Sequence, residues 1–104
     1  MIDDSRYEDI IMSIAGVAAY KISGVASLSA IAGRRSRRRA PKSVQVAVRN
    51  DNAYIDMYLN AFSGVSVPDL AYDVQLAVKT EVESATKYKV RAVNINVMGI
   101  VVNQ

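Results

Sequence analysis

Between residues 44 and 98 the hydrophobic rhythm changes twice, from every second residue to every third or fourth and back again. Period two marks a strand with one buried face, and period 3.6 marks a helix with one. Val44, Val46 and Val48 alternate with Gln45, Ala47 and Arg49. Asn50-Asp51-Asn52 comes next, and these residue types tolerate left-handed backbone angles, so a tight hairpin is expected. The returning strand sets Ile55, Met57, Leu59 and Ala61 against Tyr54, Asp56, Tyr58, Asn60 and Phe62, with the aliphatic set as the expected core face. Ser63-Gly64-Val65-Ser66-Val67 then breaks the alternation. Pro68 suits the first turn of a helix, where its missing N–H costs nothing. Leu70, Val74, Ala77, Val78, Val82 and Ala85 form the stripe of that helix, which should stop near Thr86. A last strand sets Val93, Ile95 and Val97 against Ala92, Asn94, Asn96 and Met98 and runs on toward Val101.

Upstream, Ser5 and Glu8 have the spacing of a capping box, and Asp3 and Asp4 add favourable charge at the positive end of a helix dipole. Tyr7, Ile10, Ile11, Ile14, Val17 and Ala18 recur at three- and four-residue intervals, which predicts a helix ending near Ser23 and Gly24. Its other positions between Ile10 and Tyr20 are mostly Ala, Gly or Met, so it is either deeply packed or in contact with another subunit. Residues 24–28 form a candidate short edge strand. The basic loop, residues 33–42, is expected to follow as a solvated and disordered segment. The pattern predicts an α+β fold in α-β-β-β-α-β order, with two helices packed on one face of a small three- to four-stranded mixed or antiparallel sheet. A chain of 104 residues, 51% apolar and 22% charged, holds one such domain and one core.

The chain has no cysteine and no histidine. Disulfides, thiolate metal sites and the side chain best suited to proton transfer near neutrality are therefore all missing. Asp69 and Asp73 lie on a helix beside an apolar stripe, and Asp56 has no basic neighbour in the pattern, so neither makes an acid–base pair. The expectation is a non-enzymatic protein with no cofactor, no metal and no small-molecule substrate. The acidic start Met1-Ile2-Asp3-Asp4-Ser5 does not resemble a secretory signal. The apolar run Ile10–Tyr20 is well short of the ~20 residues that span a bilayer. A cytoplasmic protein is expected, and any membrane attachment must be peripheral or through a partner.

Two surfaces are candidates for binding. Arg34, Arg35, Arg37, Arg38 and Arg39 form a dense cluster, and without these five the 13 basic residues fall to 8 against 10 acidic ones. Such a cluster can be a plain solvated loop, a contact for anionic lipid headgroups, or a contact for nucleic-acid phosphate. No aromatic residue interleaves it, and Gly33-Arg34-Arg35-Ser36 lacks the second glycine of a GXXG clamp, so base reading is not expected. The second surface is the uncovered sheet face, with Tyr54, Tyr58, Phe62, Asn94, Asn96 and Met98. These residues either pack across strands or offer a face for self-association or a partner.

Several segments together carry a family resemblance: Val44 to Val48, Ile55-Asp56, Gly64, Val67-Pro68-Asp69-Leu70-Ala71, Val74-Gln75, Val78, Val82-Glu83 and Val93-Asn94-Ile95-Asn96-Val97. With Ile14-Ala15-Gly16, Ala18-Ala19 and Ile22-Ser23-Gly24-Val25-Ala26, their order and spacing resemble the bacterial alkaline shock protein family, also called envelope stress response proteins. The resemblance implies a cytoplasmic, non-enzymatic scaffold or adaptor that self-associates and reaches the membrane through a separate anchoring partner protein or through assembly. The alternative, from charge alone, is a nucleic-acid-associated module using the arginine loop. Lys87 stands where similar sequences often have glycine, which implies a strained left-handed end to the second helix. The arginine cluster is also denser than the family's usual loop.

Overall fold

The computed structural model describes residues 4–29 and 43–102, with side chains from Arg6 onward. Six elements follow in order: α1 (Asp4–Tyr20), β1 (Val25–Leu28), β2 (Val44–Arg49), β3 (Asn52–Phe62), α2 (Val67–Ala85) and β4 (Lys89–Val101). β3 is the spine of the sheet. β4 runs parallel to it along its whole length, from Asn52↔Lys89 to Phe62↔Val101. On its other side β3 pairs antiparallel with β2 over Asn52–Met57 and with β1 over Leu59–Ala61. The sheet is mixed, and β1 and β2 lie end to end along one edge of β3.

The gap between them falls at Tyr58. Ser29 N–H donates to Tyr58 O at 2.7 Å, and Tyr58 N–H donates to Ser43 O at 2.9 Å. Two residues far apart in sequence thus share the bonding that one residue of a continuous strand would supply. The β2–β3 connection is the expected tight hairpin. Asn50 and Asp51 carry φ of 48° and 66°, the two positive values that a two-residue turn of the type favoured in hairpins requires.

One face of the sheet is covered. Ala53, Ile55, Met57, Leu59 and Ala61 of β3 are buried against the helices, with α2 over β4, α1 over β2 and β1, and the helices touching each other. α2 buries Leu70, Val74, Val78 and Val82, much as its periodicity indicates, while Ala85 is exposed.

α1 departs from expectation twice. It ends at Tyr20, and the turn that follows brings Gly24 against α2, where an added Cβ would stand 2.9 Å from Leu70 Cδ1 and 3.0 Å from Val65 Cγ1. Its buried stripe is also rotated. Ile11, Ala15, Ala18 and Ala19 are at most 1% exposed, while Ile10 and Val17 face outward at 48% and 59%. Small residues win the inner positions because they let the helix approach the sheet and α2 closely. The Ser5 side chain of the expected capping box lies outside the described residues, and the Glu8 carboxylate accepts Val48 N–H at 3.3 Å on β2.

The end of α2 is corrected too. Thr86 is extended, at φ −136° and ψ 171°, and Lys87 does not have a positive φ. Thr86 N–H and Oγ1 both donate to Val82 O, at 3.0 and 2.8 Å, so the last turn is closed without a left-handed residue.

Candidate interaction surface

Strand alternation delivers Tyr54, Asp56, Tyr58, Asn60 and Phe62 to the face opposite the helices. Tyr54 is exposed there and the others are half-buried. Tyr54 pairs laterally with Ala47 on β2 and Ala92 on β4, so it has a small residue on each neighbouring strand. Asp56 lies between Gln45 and Asn94, and Asn94 Nδ2 donates to Asp56 Oδ1 at 2.8 Å. Tyr58 pairs with Asn96, whose Nδ2 donates to Met57 O at 3.1 Å. Asn60 lies opposite Gly99 and donates from Nδ2 to Ser27 Oγ at 3.0 Å. A Cβ on Gly99 would sit 3.1 Å from Asn60 Oδ1, so this glycine makes room for the amide.

Met98 is placed differently from the simple alternation. The register jumps from Leu59↔Val97 to Asn60↔Gly99, which makes Met98 the extra residue of a bulge. Past it the phase of β4 inverts, and Gly99 and Val101 take the paired positions beside Asn60 and Phe62. A first bulge at Arg91, between Ala53↔Val90 and Tyr54↔Ala92, inverts the phase near the start of β4. Cations gather at that end of the sheet: Arg49 and Lys89 both pair with Asn52, and Arg91 Nε donates to Asn52 Oδ1 at 2.8 Å. The arginines 34, 35, 37, 38 and 39 lie outside the described residues, within the segment whose ends meet at Tyr58.

A second feature was not visible in the sequence pattern. Between α2 and β4 lies an open cleft of about 300 Å³, lined by Tyr72, Gln75, Leu76 and Lys79 from the helix and by residues 90–93 from the strand. At its end Glu83 accepts Val90 N–H at 2.9 Å and Lys79 Nζ at 3.1 Å. The Val90 N–H, and then Lys79, hold the Glu83 carboxyl below its ordinary value. The signal available beforehand was Tyr72 and Leu76, two large apolar residues one turn apart and outside the buried stripe of α2. Among the described residues no three of His, Cys, Asp and Glu come together to hold a metal ion, and no helix is long and apolar enough to cross a membrane.

Over residues 5–102 the chain matches the model of the alkaline shock protein family, which is described as having a "cell envelope-related function". The chain belongs to the alkaline shock protein family. Its similarity to Uncharacterized protein YqhY of Bacillus subtilis (strain 168) is 30% identity over 97 residues, covering 88% of this chain and 72% of that one. Uncharacterized protein YloU of Bacillus subtilis (strain 168) is 32% identical over 99 residues, covering 88% and 82%. This is the family that the order of segments from Ile14 to Val97 suggests. Among solved structures, a doubly substituted variant of MamM-CTD superposes with a TM-score of 0.62 at 10% identity, covering 92% of this chain and 94% of that one. A nickel form of MamM CTD gives 0.54 at 11%, covering 92% and 99%. At such identities the likeness concerns the fold alone, and it extends the alkaline shock protein architecture beyond the reach of sequence.

Proposed function

We propose that this alkaline shock protein is a non-enzymatic adaptor at the bacterial envelope, peripheral to the membrane, working through contact surfaces and self-association. The observation that carries the proposal is the sheet face that no described element covers, where Tyr54, Tyr58 and Phe62 stand in file with neutral amides and small residues beside them. A file of aromatic area with a single carboxylate, Asp56, among it is suited to desolvation against a protein partner. The family's cell envelope-related description supports the location. The arginine cluster adds a means of holding the protein near anionic headgroups, each cation near such a surface contributing about 1 kcal/mol.

Two measurements test this. Tyr54→Ser with Tyr58→Ser should lower the mass of the native assembly in solution, and an assembly of unchanged mass removes this face as the self-contact. Changing Arg34, Arg35, Arg37, Arg38 and Arg39 to serine should reduce flotation with anionic vesicles, most clearly at low salt. Loss of RNA or DNA gel shifts in that variant, with vesicle association absent in the parent, would replace lipid by nucleic-acid phosphate as the anion.

A further inference from the structure

Among the described residues β4 pairs with β3 alone, which makes it an edge strand, and its backbone orientation can be followed along the cleft. Val90 N–H is taken by Glu83 at 2.9 Å and Val90 O by Lys79 Nζ at 3.4 Å, so both groups of Val90 point away from the sheet. The bulge at Arg91 shifts the phase by one residue, and the next outward carbonyl is that of Val93, which accepts Gln75 Nε2 at 2.8 Å. Alternation carries the same orientation to Ile95 and Val97. No side chain among the described residues bonds their outward groups. From Ala92 to Val102 the strand and its end contain no charged residue and no proline, the usual devices that blunt an open edge.

We propose that the cleft between α2 and β4 receives an extended, acidic segment of a partner protein, added as a strand on the β4 edge. Three α2 side chains already imitate its contacts. Glu83 and Gln75 occupy an acceptor and a donor position that an incoming backbone would fill, and Lys79 and Gln75 are exposed, so an added strand would exchange their bonds to β4 for its own. Tyr72 and Leu76, at 64% and 52% exposure, wall the groove where alternate apolar side chains of an added strand would rest. The charged residues lining the cleft, Lys79 and Arg91, are cations and Lys89 stands just before it; Lys79 is paired with Glu83 at the cleft's end, so Arg91 and Lys89 are the excess positive charge. That charge argues against a second copy as the occupant, because β2 and β4 of this chain contain no acidic residue and would bring Arg49, Lys89 or Arg91 to the same place. The site goes beyond the envelope reading, since it depends on neither the aromatic sheet face nor the arginine cluster.

The test uses the full chain and three fluorescein-labelled octapeptides: alternating valine and glutamate, alternating valine and lysine, and the valine–glutamate peptide with alternate backbone amides methylated. Fluorescence anisotropy should rank the acidic peptide at least about tenfold tighter than the basic one. Methylation should abolish binding, because the strand is held by its backbone. Amide NMR shifts should fall on residues 72–79 and 90–97. Leu76→Ser, an exposed position, should weaken the acidic peptide about tenfold, and Lys79→Glu should narrow or reverse the preference between peptides. The proposal is overturned by absence of binding, by equal binding of acidic and basic peptides, by indifference to methylation, or by shifts confined to Tyr54, Tyr58 and Phe62. It is equally overturned if the cleft amides shift with protein concentration alone while the mass doubles, which assigns the edge to a second copy.

Discussion

Asn50 and Asp51 show how far a single residue can be interpreted. Their positive φ values strain any ordinary side chain, and Asn and Asp bear them better than most because their short polar groups bond locally. Asp51→Val should therefore cost about 1–2 kcal/mol in urea unfolding. Asp51→Gly removes the same carboxylate without adding strain and should cost almost nothing, since the Lys87–Asp51 pair at 3.6 Å is well exposed. Glu83 gives a pH prediction with a definite sign. Its carboxyl is held below the ordinary value by Val90 N–H and Lys79, so its contribution is complete above the unfolded carboxylate range near about 4.3 and fades as pH falls through the lower folded value. The stability advantage of the native chain over Glu83→Gln should be present at neutral pH and shrink in strong acid, as urea midpoints measured at both ends would show. The turn was legible because Asn-Asp chemistry is local. The Glu83 contact was not, because Val90 meets it only once α2 has packed on β4.

At the scale of elements, α1 and α2 contrast. The stripe of α2 could be read directly, since Leu70, Val74, Val78 and Val82 are both its apolar residues and its buried ones. In α1 nearly every position from Ile10 to Tyr20 is apolar, so periodicity selects no face, and size misleads toward Ile10 and Val17. Ile11→Ala should cost about 2–5 kcal/mol. Ile10→Ala, at an exposed position, should stay within about 0.5 kcal/mol. Equal losses in thermal or chemical unfolding would contradict the rotated stripe. Gly24→Ala should cost about 1–3 kcal/mol, because its Cβ would press on Leu70 and Val65 where the chain crosses between helix and strand. The bulges at Arg91 and Met98 have the same lesson for β4. Alternation places Asn94 and Asn96 correctly but fails at Met98, since an inserted residue has no signature within the run of residues 97–102, which contains no polar side chain.

For the whole molecule, the junction at Tyr58 brings together the described residues on either side of the arginine segment. Ser29 and Ser43 already meet there, so replacing residues 30–42 by a four-residue Gly/Ser connection should leave the sheet intact and raise stability by about 1 kcal/mol from the shorter loop. Thermal unfolding would check this, and the same variant isolates what the arginines contribute to vesicle binding. A large loss of stability would show that the segment also supports the core.

The sequence by itself determined the element types and their order, the hairpin turn and the core face of β3, because each rests on periodicity or turn chemistry within a few residues. It also showed the family likeness through segments spaced along nearly the whole chain. Only the tertiary structure decided that β4 runs parallel to β3, that β1 and β2 share one edge, and that α1 turns its alanines inward. It alone created the cleft beside α2. These features depend on which distant surfaces meet and how closely they pack, and a pattern of neighbours along the chain contains neither quantity.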